Sequence, residues 1–133
     1  MAPKIKLQGI VLDSKEPLKL AKFYADLLGG KETHEMEYFS TVSIPGENIT
    51  ISCQLDKDYT PPAWPGSREE QTQMEHLDFI VDDMEASVQY VLSLGATKPS
   101  VQYWQPEWGP QWVTLLDPEG HPFCLGNKEV GEE

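Results

Sequence analysis

The most informative stretch of the sequence is His76-Leu77-Asp78-Phe79-Ile80-Val81-Asp82-Asp83, which has the pattern of a β-strand. Side chains alternate between the two faces of a β-strand, so one face of this stretch is apolar, with Leu77, Phe79 and Val81. The opposite face carries the imidazole of His76 and the carboxylate of Asp78. This division predicts a strand that packs its apolar face on a helix and offers its polar face to a ligand.

The next residues, 84–96, predict the helix on which that strand packs. Their apolar side chains fall on one side of a helix, and a glycine ends the pattern. The first half of the chain has the same order, because a strand pattern at residues 5–12 precedes a helical pattern that also stops at a glycine. A shift of 66 residues places Gly29 on Gly95. We therefore predict that one βαβββ unit occurs twice.

Further strands are expected at residues 31–36, 38–44 and 49–55 in the first half, and at 98–104, 111–116 and Phe123-Cys124-Leu125 in the second. In the last strand Phe123 and Leu125 share a face, so the side chain of Cys124 points the other way. The elements predict an α+β fold with a first module at about residues 5–56, a linker at 57–73 and a second module at about 74–127, together one domain of residues 1–133.

The linker has its own character. Pro61, Pro62 and Pro65 exclude a helix or a central strand there. Since it also carries Tyr59 and Trp64, we expect it to pack across the body or to rim a pocket rather than to hang free.

Composition excludes several classes of partner. The chain has 133 residues, a formal net charge of -12 and no basic cluster, so it should repel nucleic acid and anionic membranes. It has no apolar run long enough to span a bilayer, and its start lacks the apolar core of a secretion signal, which predicts a cytoplasmic protein. The acidity either serves solubility alone or favours small cationic partners. Two cysteines, Cys53 and Cys124, are too few for a disulfide scaffold and are expected as thiols.

Several of these features together resemble the vicinal oxygen chelate superfamily, the fold of glyoxalase I, extradiol dioxygenases and bleomycin-binding resistance proteins. They are the two βαβββ modules, the His-x-Asp strand, the Phe23-Tyr24 helix ending in Leu-Gly, and the run LDPEGHPFCL at residues 116–125. The Pro-Pro-x-Trp-Pro motif at 61–65, followed by His-Leu-Asp, is similar to the glyoxalase-like domain group. The resemblance covers residues 5–127 and implies a curved mixed sheet, a half-barrel with the helices on its outside.

In metal-dependent members of the superfamily, the ligands come from the first and last strands of each module. Carried over position by position, Gln8 and His76 match in residue type, whereas Gln54 and Cys124 stand where those members have carboxylates. The resemblance implies a divalent metal (zinc, nickel, iron or manganese) on His76 and Gln8. A metal-free pocket is the alternative, because neutral ligands hold a divalent cation weakly. A thiolate from Cys124 would favour zinc, and Asp78 could add a carboxylate.

Each of these side chains also has a structural interpretation. His76 is either a functional residue or a hydrogen-bonded structural one, and Asp78 is either an acid/base group or a cap for a backbone amide. Cys124 is expected to be a packed thiol rather than a nucleophile, since no basic residue stands beside it in the sequence. His34 and His121 are expected at the surface.

The tryptophans lie in the linker and in the late loop and strand region, at Trp64, Trp104, Trp108 and Trp112. Aromatic residues gathered in loops line apolar clefts or interfaces. The tryptophans are therefore expected either in the wall of a pocket or in the interface of a dimer. A homodimer is expected, because chains of this length in the superfamily usually pair to complete their pockets.

Two functions follow from the resemblance. The first is a glyoxalase-like enzyme, a lyase, isomerase or dioxygenase acting on a carbonyl or enediolate-like substrate, with His76 and Asp78 as catalytic residues. The second is a non-catalytic protein that binds and sequesters a drug. In both cases the side chains expected to contact the small molecule are Gln8, Gln54, Trp64, Trp104, Trp112 and Cys124.

Overall fold

The computed structural model describes residues 3–67 and 69–127. Contacts within the chain separate it into two compact units with the boundary after Tyr59, so the linker from Thr60 onwards belongs to the second unit. Each unit has its own sheet and its own helix, and together they make the predicted α+β fold.

The first unit is a four-stranded sheet with one helix. Its elements are β1 (Gly9–Ser14), α1 (Pro17–Leu28), β2 (Lys31–Glu32), β3 (Phe39–Ser43) and β4 (Thr50–Leu55). The strand order is β1-β4-β3-β2, with β1 parallel to β4 and the other neighbours antiparallel.

Helix α1 follows its sequence pattern closely. Pro17 occupies its first turn, and Gly29 ends it in the left-handed conformation (φ 64°) that glycine adopts without steric cost. Phe23 and Tyr24 are buried and meet edge to face at 5.0 Å, as the apolar stripe predicts. The strand expected at 31–36 is shorter than predicted, because Met36 and Phe39 pair with each other and turn the chain back early.

The second unit is a three-stranded sheet with one helix. Its elements are β5 (Leu77–Ile80), α2 (Met84–Ser93), a single 3₁₀ turn at Pro106–Trp108, β6 (Trp112–Leu116) and β7 (Pro122–Gly126). The strand order is β5-β7-β6, with β5 parallel and β6 antiparallel to β7. The carboxylate of Asp83 caps α2 by accepting from the amide of Ala86 at 3.0 Å.

One face of this sheet forms the core of the unit. Every second side chain along β6 and β7 is buried on this face, namely Val113, Leu115, Phe123 and Leu125. Phe79 packs edge to face on Phe123 with ring centroids 5.8 Å apart. Cys124 therefore points to the opposite face, as its position between two core residues predicts.

The two units repeat the same connectivity. In each, the first strand pairs in parallel with the last, and the strand before the last pairs antiparallel with it. The repetition extends to side chains at one register position. Thr41 and Ser52 form a buried hydroxyl pair at 2.9 Å in the first unit, and Thr114 and Cys124 form the corresponding pair at 3.4 Å in the second.

The prediction of a strand at residues 98–104 is wrong. The chain there makes only an isolated bridge between Thr97 and Leu116. Beyond that bridge, the side-chain amide of Gln102 takes the place of a strand, because its Oε1 accepts from the amide of Thr114 at 2.8 Å and its Nε2 donates to the carbonyl of Thr114 at 2.9 Å. At Thr114, the outer edge of β6 is thus satisfied by one side chain rather than by a backbone ladder.

A second correction concerns His121, which was expected at the surface. Its Nδ1 lies 2.8 Å from Oδ2 of Asp117, whose side chain is fully buried. Oδ1 of the same carboxylate accepts from the amides of Glu119 and His121 and so holds the turn between β6 and β7. His34 is exposed, as expected.

The helices of the described residues are all too short or too polar to cross a bilayer.

Candidate functional site

A cavity of about 310 Å³ opens on the polar face of the β5-β7-β6 sheet. All of its lining residues belong to the second unit: Trp64, Gln73, His76, Asp78, Tyr103, Trp104, Trp112, Thr114, Pro122 and Cys124. The strand alternation explains this set, because positions 112, 114, 122 and 124 point away from the buried core face. The sheet thus supplies the floor, and the linker and the late loop supply the walls.

Strand register places the polar groups of the floor in one row. Asp78 pairs with Cys124 across the parallel β5-β7 ladder, and Cys124 pairs with Thr114 across the antiparallel β7-β6 ladder. His76 lies two residues before Asp78, so it faces the same way, and its Nε2 is 3.1 Å from Oδ1 of Asp78. Both side chains are partly exposed, which limits the contribution of this contact to stability.

The thiol of Cys124 is held in its protonated form. Burial raises its pKa, the hydrogen bond with Thr114 lowers the pKa, and the nearby charge of Asp78 raises it again. Because the net direction is upward from an ordinary value that already lies above neutral pH, the thiol is neutral at neutral pH. This direction of the pKa shift does not activate Cys124 as a nucleophile.

The same row could hold a metal ion. The imidazole of His76, the carboxylate of Asp78 and the sulfur of Cys124 each offer one atom, and these atoms lie within 4.8 Å of one another. Nitrogen, oxygen and sulfur ligands of this kind suit zinc, which would displace the proton of the thiol on binding.

The aromatic walls are fixed by hydrogen bonds that point away from a ligand. Nε1 of Trp64 donates to the carbonyl of Val101 at 3.1 Å, and Nε1 of Trp104 donates to the carbonyl of Pro110 at 2.7 Å. Trp64 also meets Tyr103 edge to face at 5.4 Å. With their indole donors already used, Trp64 and Trp104 offer ring surface rather than hydrogen bonds to whatever enters the cavity.

Trp112 is positioned by a glycine. A Cβ built on Gly126, its cross-strand partner, would lie 2.5 Å from Cζ3 and 2.6 Å from Cε3 of the indole. The ring therefore packs against Gly126 of β7, in space that only glycine leaves open.

Gln73 is the one lining residue with an unused buried group. Its Oε1 is shut off from solvent and accepts no hydrogen bond from the described residues. A buried polar atom without a partner costs about 1–3 kcal/mol, so this oxygen requires an explanation.

The structure brings together six of the eight side chains predicted to form a site. His76, Asp78, Trp64, Trp104, Trp112 and Cys124 line the cavity. Gln8 and Gln54 are exposed residues of the first unit. Trp108 lies in the 3₁₀ turn.

Sequence reasoning missed four lining residues. Thr114 was detectable, because strand alternation places it on the same face as Trp112. Tyr103 was assigned to a strand that does not form, and nothing in the local pattern marks Pro122 or Gln73.

Comparison with known proteins gives a family and a fold. The family model described as "Glyoxalase-like domain" matches residues 9–126. No curated protein matches the chain in sequence.

Among solved structures, a mutant of the fosfomycin resistance protein FosX from Listeria monocytogenes, complexed with Mn(II) and 1S,2S-dihydroxypropylphosphonic acid, is 14% identical. Its TM-score is 0.70, and the match covers 94% of this chain and 91% of that one.

Two others resemble the chain as closely. A glyoxalase/bleomycin resistance protein/dioxygenase family enzyme from Burkholderia phytofirmans PsJN is 18% identical with a TM-score of 0.69, covering 92% of this chain and 98% of that one. The oxidase ChaP-H2 is 19% identical with a TM-score of 0.66, covering 98% of each chain. At these identities the likeness concerns the fold.

Proposed function

Because the chain belongs to the glyoxalase-like domain family of the vicinal oxygen chelate superfamily, we propose that it binds a small cation with an apolar or aromatic body in the cavity of its second unit. The observation that carries the proposal is a carboxylate, Asp78, in a cavity walled by aromatic rings. Activity does not follow from the family, since this fold hosts several chemistries. Sequestration of a ligand needs only the cavity.

The aromatic walls supply the apolar part of the recognition. Three tryptophans and Tyr103 line the cavity, and the rings of Trp64 and Trp104 are fixed by their own backbone hydrogen bonds. A ring that is already held in place loses little freedom when a ligand packs on it. A cation over such a ring gains about 0.5–2 kcal/mol.

Charge supports a positive ligand. Asp78 is the only carboxylate among the described lining residues, no lysine or arginine joins it there, and the Cys124 thiol stays neutral. A cation entering the cavity competes with His76 for Asp78. The formal net charge of -12 also raises the local concentration of cations near the protein.

A matched pair of ligands tests the proposal. Phenyltrimethylammonium and its neutral isostere tert-butylbenzene differ in charge but hardly in shape, and tryptophan fluorescence reports binding of each. We expect the cation to bind more tightly, and Asp78→Asn to weaken it about tenfold without weakening the neutral compound. Asp82→Asn, an exposed carboxylate outside the cavity, is the control. Equal binding of the two compounds, or no effect of Asp78→Asn, would contradict the proposal.

The cluster of His76, Asp78 and Cys124 favours a second candidate, a metal-dependent enzyme of the lyase, isomerase or dioxygenase type. These three side chains would hold the metal, which supplies a Lewis acid for a carbonyl or enediolate-like substrate. His76 would then be a ligand, and no carboxylate of the described lining residues would remain for proton transfer.

Elemental analysis of protein purified without chelator tests this candidate. A stoichiometric divalent metal that is lost in both His76→Ala and Cys124→Ser supports it, whereas metal-free protein that also fails to take up added Zn(II) contradicts it.

The homodimer and the cytoplasmic location stay predictions from the sequence. Sedimentation at high protein concentration tests the first, and a monomeric mass would contradict it. Fractionation of cells tests the second.

A further inference from the structure

We propose that Gln73 makes the cavity selective for cations that carry an N–H donor, so that protonated amines bind in preference to quaternary ammonium ions. The inference rests on the proposed function and adds the substrate class. Its origin is the unpartnered, solvent-shielded Oε1 of Gln73, a residue that lines the same cavity as Asp78.

A comparison with Gln102 shows why the unpartnered atom is informative. The amide of Gln102 is fully engaged, since its Oε1 accepts from Thr114 and its Nε2 donates to the carbonyls of Pro99 and Thr114. A glutamine with a structural role in this unit therefore has hydrogen-bond partners on both ends. The Oε1 of Gln73 has none, although solvent cannot reach it either.

The described residues place no donor within hydrogen-bond distance of that oxygen. The indole N–H groups of Trp64 and Trp104 are bound to backbone carbonyls, and Nε2 of His76 is paired with Asp78. A donor brought by a ligand would remove the cost of the unpartnered oxygen. The terminal torsion of a glutamine amide is soft, so Oε1 can turn toward such a donor.

An ammonium group with N–H bonds fits both acceptors. Once the Gln73 amide has turned toward the cavity, such a group can donate to its Oε1 and to the carboxylate of Asp78, because both residues line the same cavity, while its apolar body packs on the rings. A quaternary ammonium offers charge to Asp78 and to the rings but no hydrogen bond, so Gln73 stays unpartnered when it binds. Asp78 thus selects for the positive charge of the ligand, and Gln73 selects for its N–H donor.

The test compares benzylammonium with benzyltrimethylammonium, which are both cationic at neutral pH, in the wild type and in Gln73→Met. Methionine has a similar volume and no strong acceptor. We expect the ratio of the quaternary to the primary dissociation constant to fall about tenfold in Gln73→Met, the loss of one hydrogen bond to a charged donor. Gln71→Met, an exposed neighbour, should leave the ratio unchanged.

Stability gives an independent readout. Because Gln73→Met removes a buried atom without a partner, its urea midpoint should equal or exceed that of the wild type, and Gln73→Leu should agree. An unchanged ratio, or a lowered midpoint in both variants, would overturn the inference and leave the proposed function standing if the quaternary ion still binds in an Asp78-dependent way. If neither cation binds the wild type, both are overturned.

Discussion

Replacing Gln102 with methionine tests whether a side chain stands in for the missing strand. The change removes three hydrogen bonds, of 2.8 and 2.9 Å to the backbone of Thr114 and of 3.1 Å to the carbonyl of Pro99. Thr114 is only 8% exposed, so water cannot easily replace the lost partner of its N–H. A buried group left unpartnered costs about 1–3 kcal/mol and each of the two further bonds about 0.5–1.5 kcal/mol, which gives a loss of about 2–6 kcal/mol.

Urea unfolding measures this loss, and hydrogen exchange at the Thr114 amide locates it. Exchange at that amide should accelerate at least tenfold in Gln102→Met, since each 1.4 kcal/mol is a factor of ten. Gln89→Met, on the exposed side of α2, should stay within about 0.5 kcal/mol of the wild type. A loss below about 0.5 kcal/mol in Gln102→Met, or unchanged protection of Thr114, would refute the reasoning.

Three further predictions concern single groups. Asp117→Ala should lower the free energy of unfolding by about 2 kcal/mol, because the buried carboxylate accepts two amides of its turn; an unchanged thermal midpoint would count against this. Gly126→Ala should displace the Trp112 ring, shift tryptophan emission and cost about 1–3 kcal/mol, but not in a Trp112→Ala background. Burial raises the pKa of the Cys124 thiol, so the folded protein keeps the thiol proton to a higher pH than the unfolded chain does. The stability that this proton contributes is complete below the ordinary thiol pKa and is lost as the pH rises through the folded pKa. Cys124→Ser should flatten this alkaline loss, measured by urea unfolding across that range.

Patterns that depend on one element were readable from the sequence. The spacing of Phe23 and Tyr24 and the glycine after them predict α1, because a buried stripe and a left-handed cap are local requirements. Alternation over 76–80 and 122–126 places His76, Asp78 and Cys124 on one face of the sheet. The alternation in these two strands accounts for the polar floor of the site.

Features that depend on contacts between distant segments were not readable. Residues 98–104 have the composition of a strand, but Gln102 meets the backbone of Thr114 with its side chain, and no sequence period signals that exchange. The unpartnered oxygen of Gln73 is likewise a property of the surrounding walls. The burial of His121 follows from the Asp117 carboxylate, which needs a donor once the turn encloses it.

Chemical-shift mapping with phenyltrimethylammonium on ¹⁵N-labelled protein shows directly where a cation binds. If the cavity of the second unit is the binding site, saturable shifts will appear at the indole N–H of Trp64 and Trp104 and at the amides of Asp78, Thr114 and Cys124. Saturable shifts confined to residues 9–55, or the absence of any saturable shift, would contradict the account.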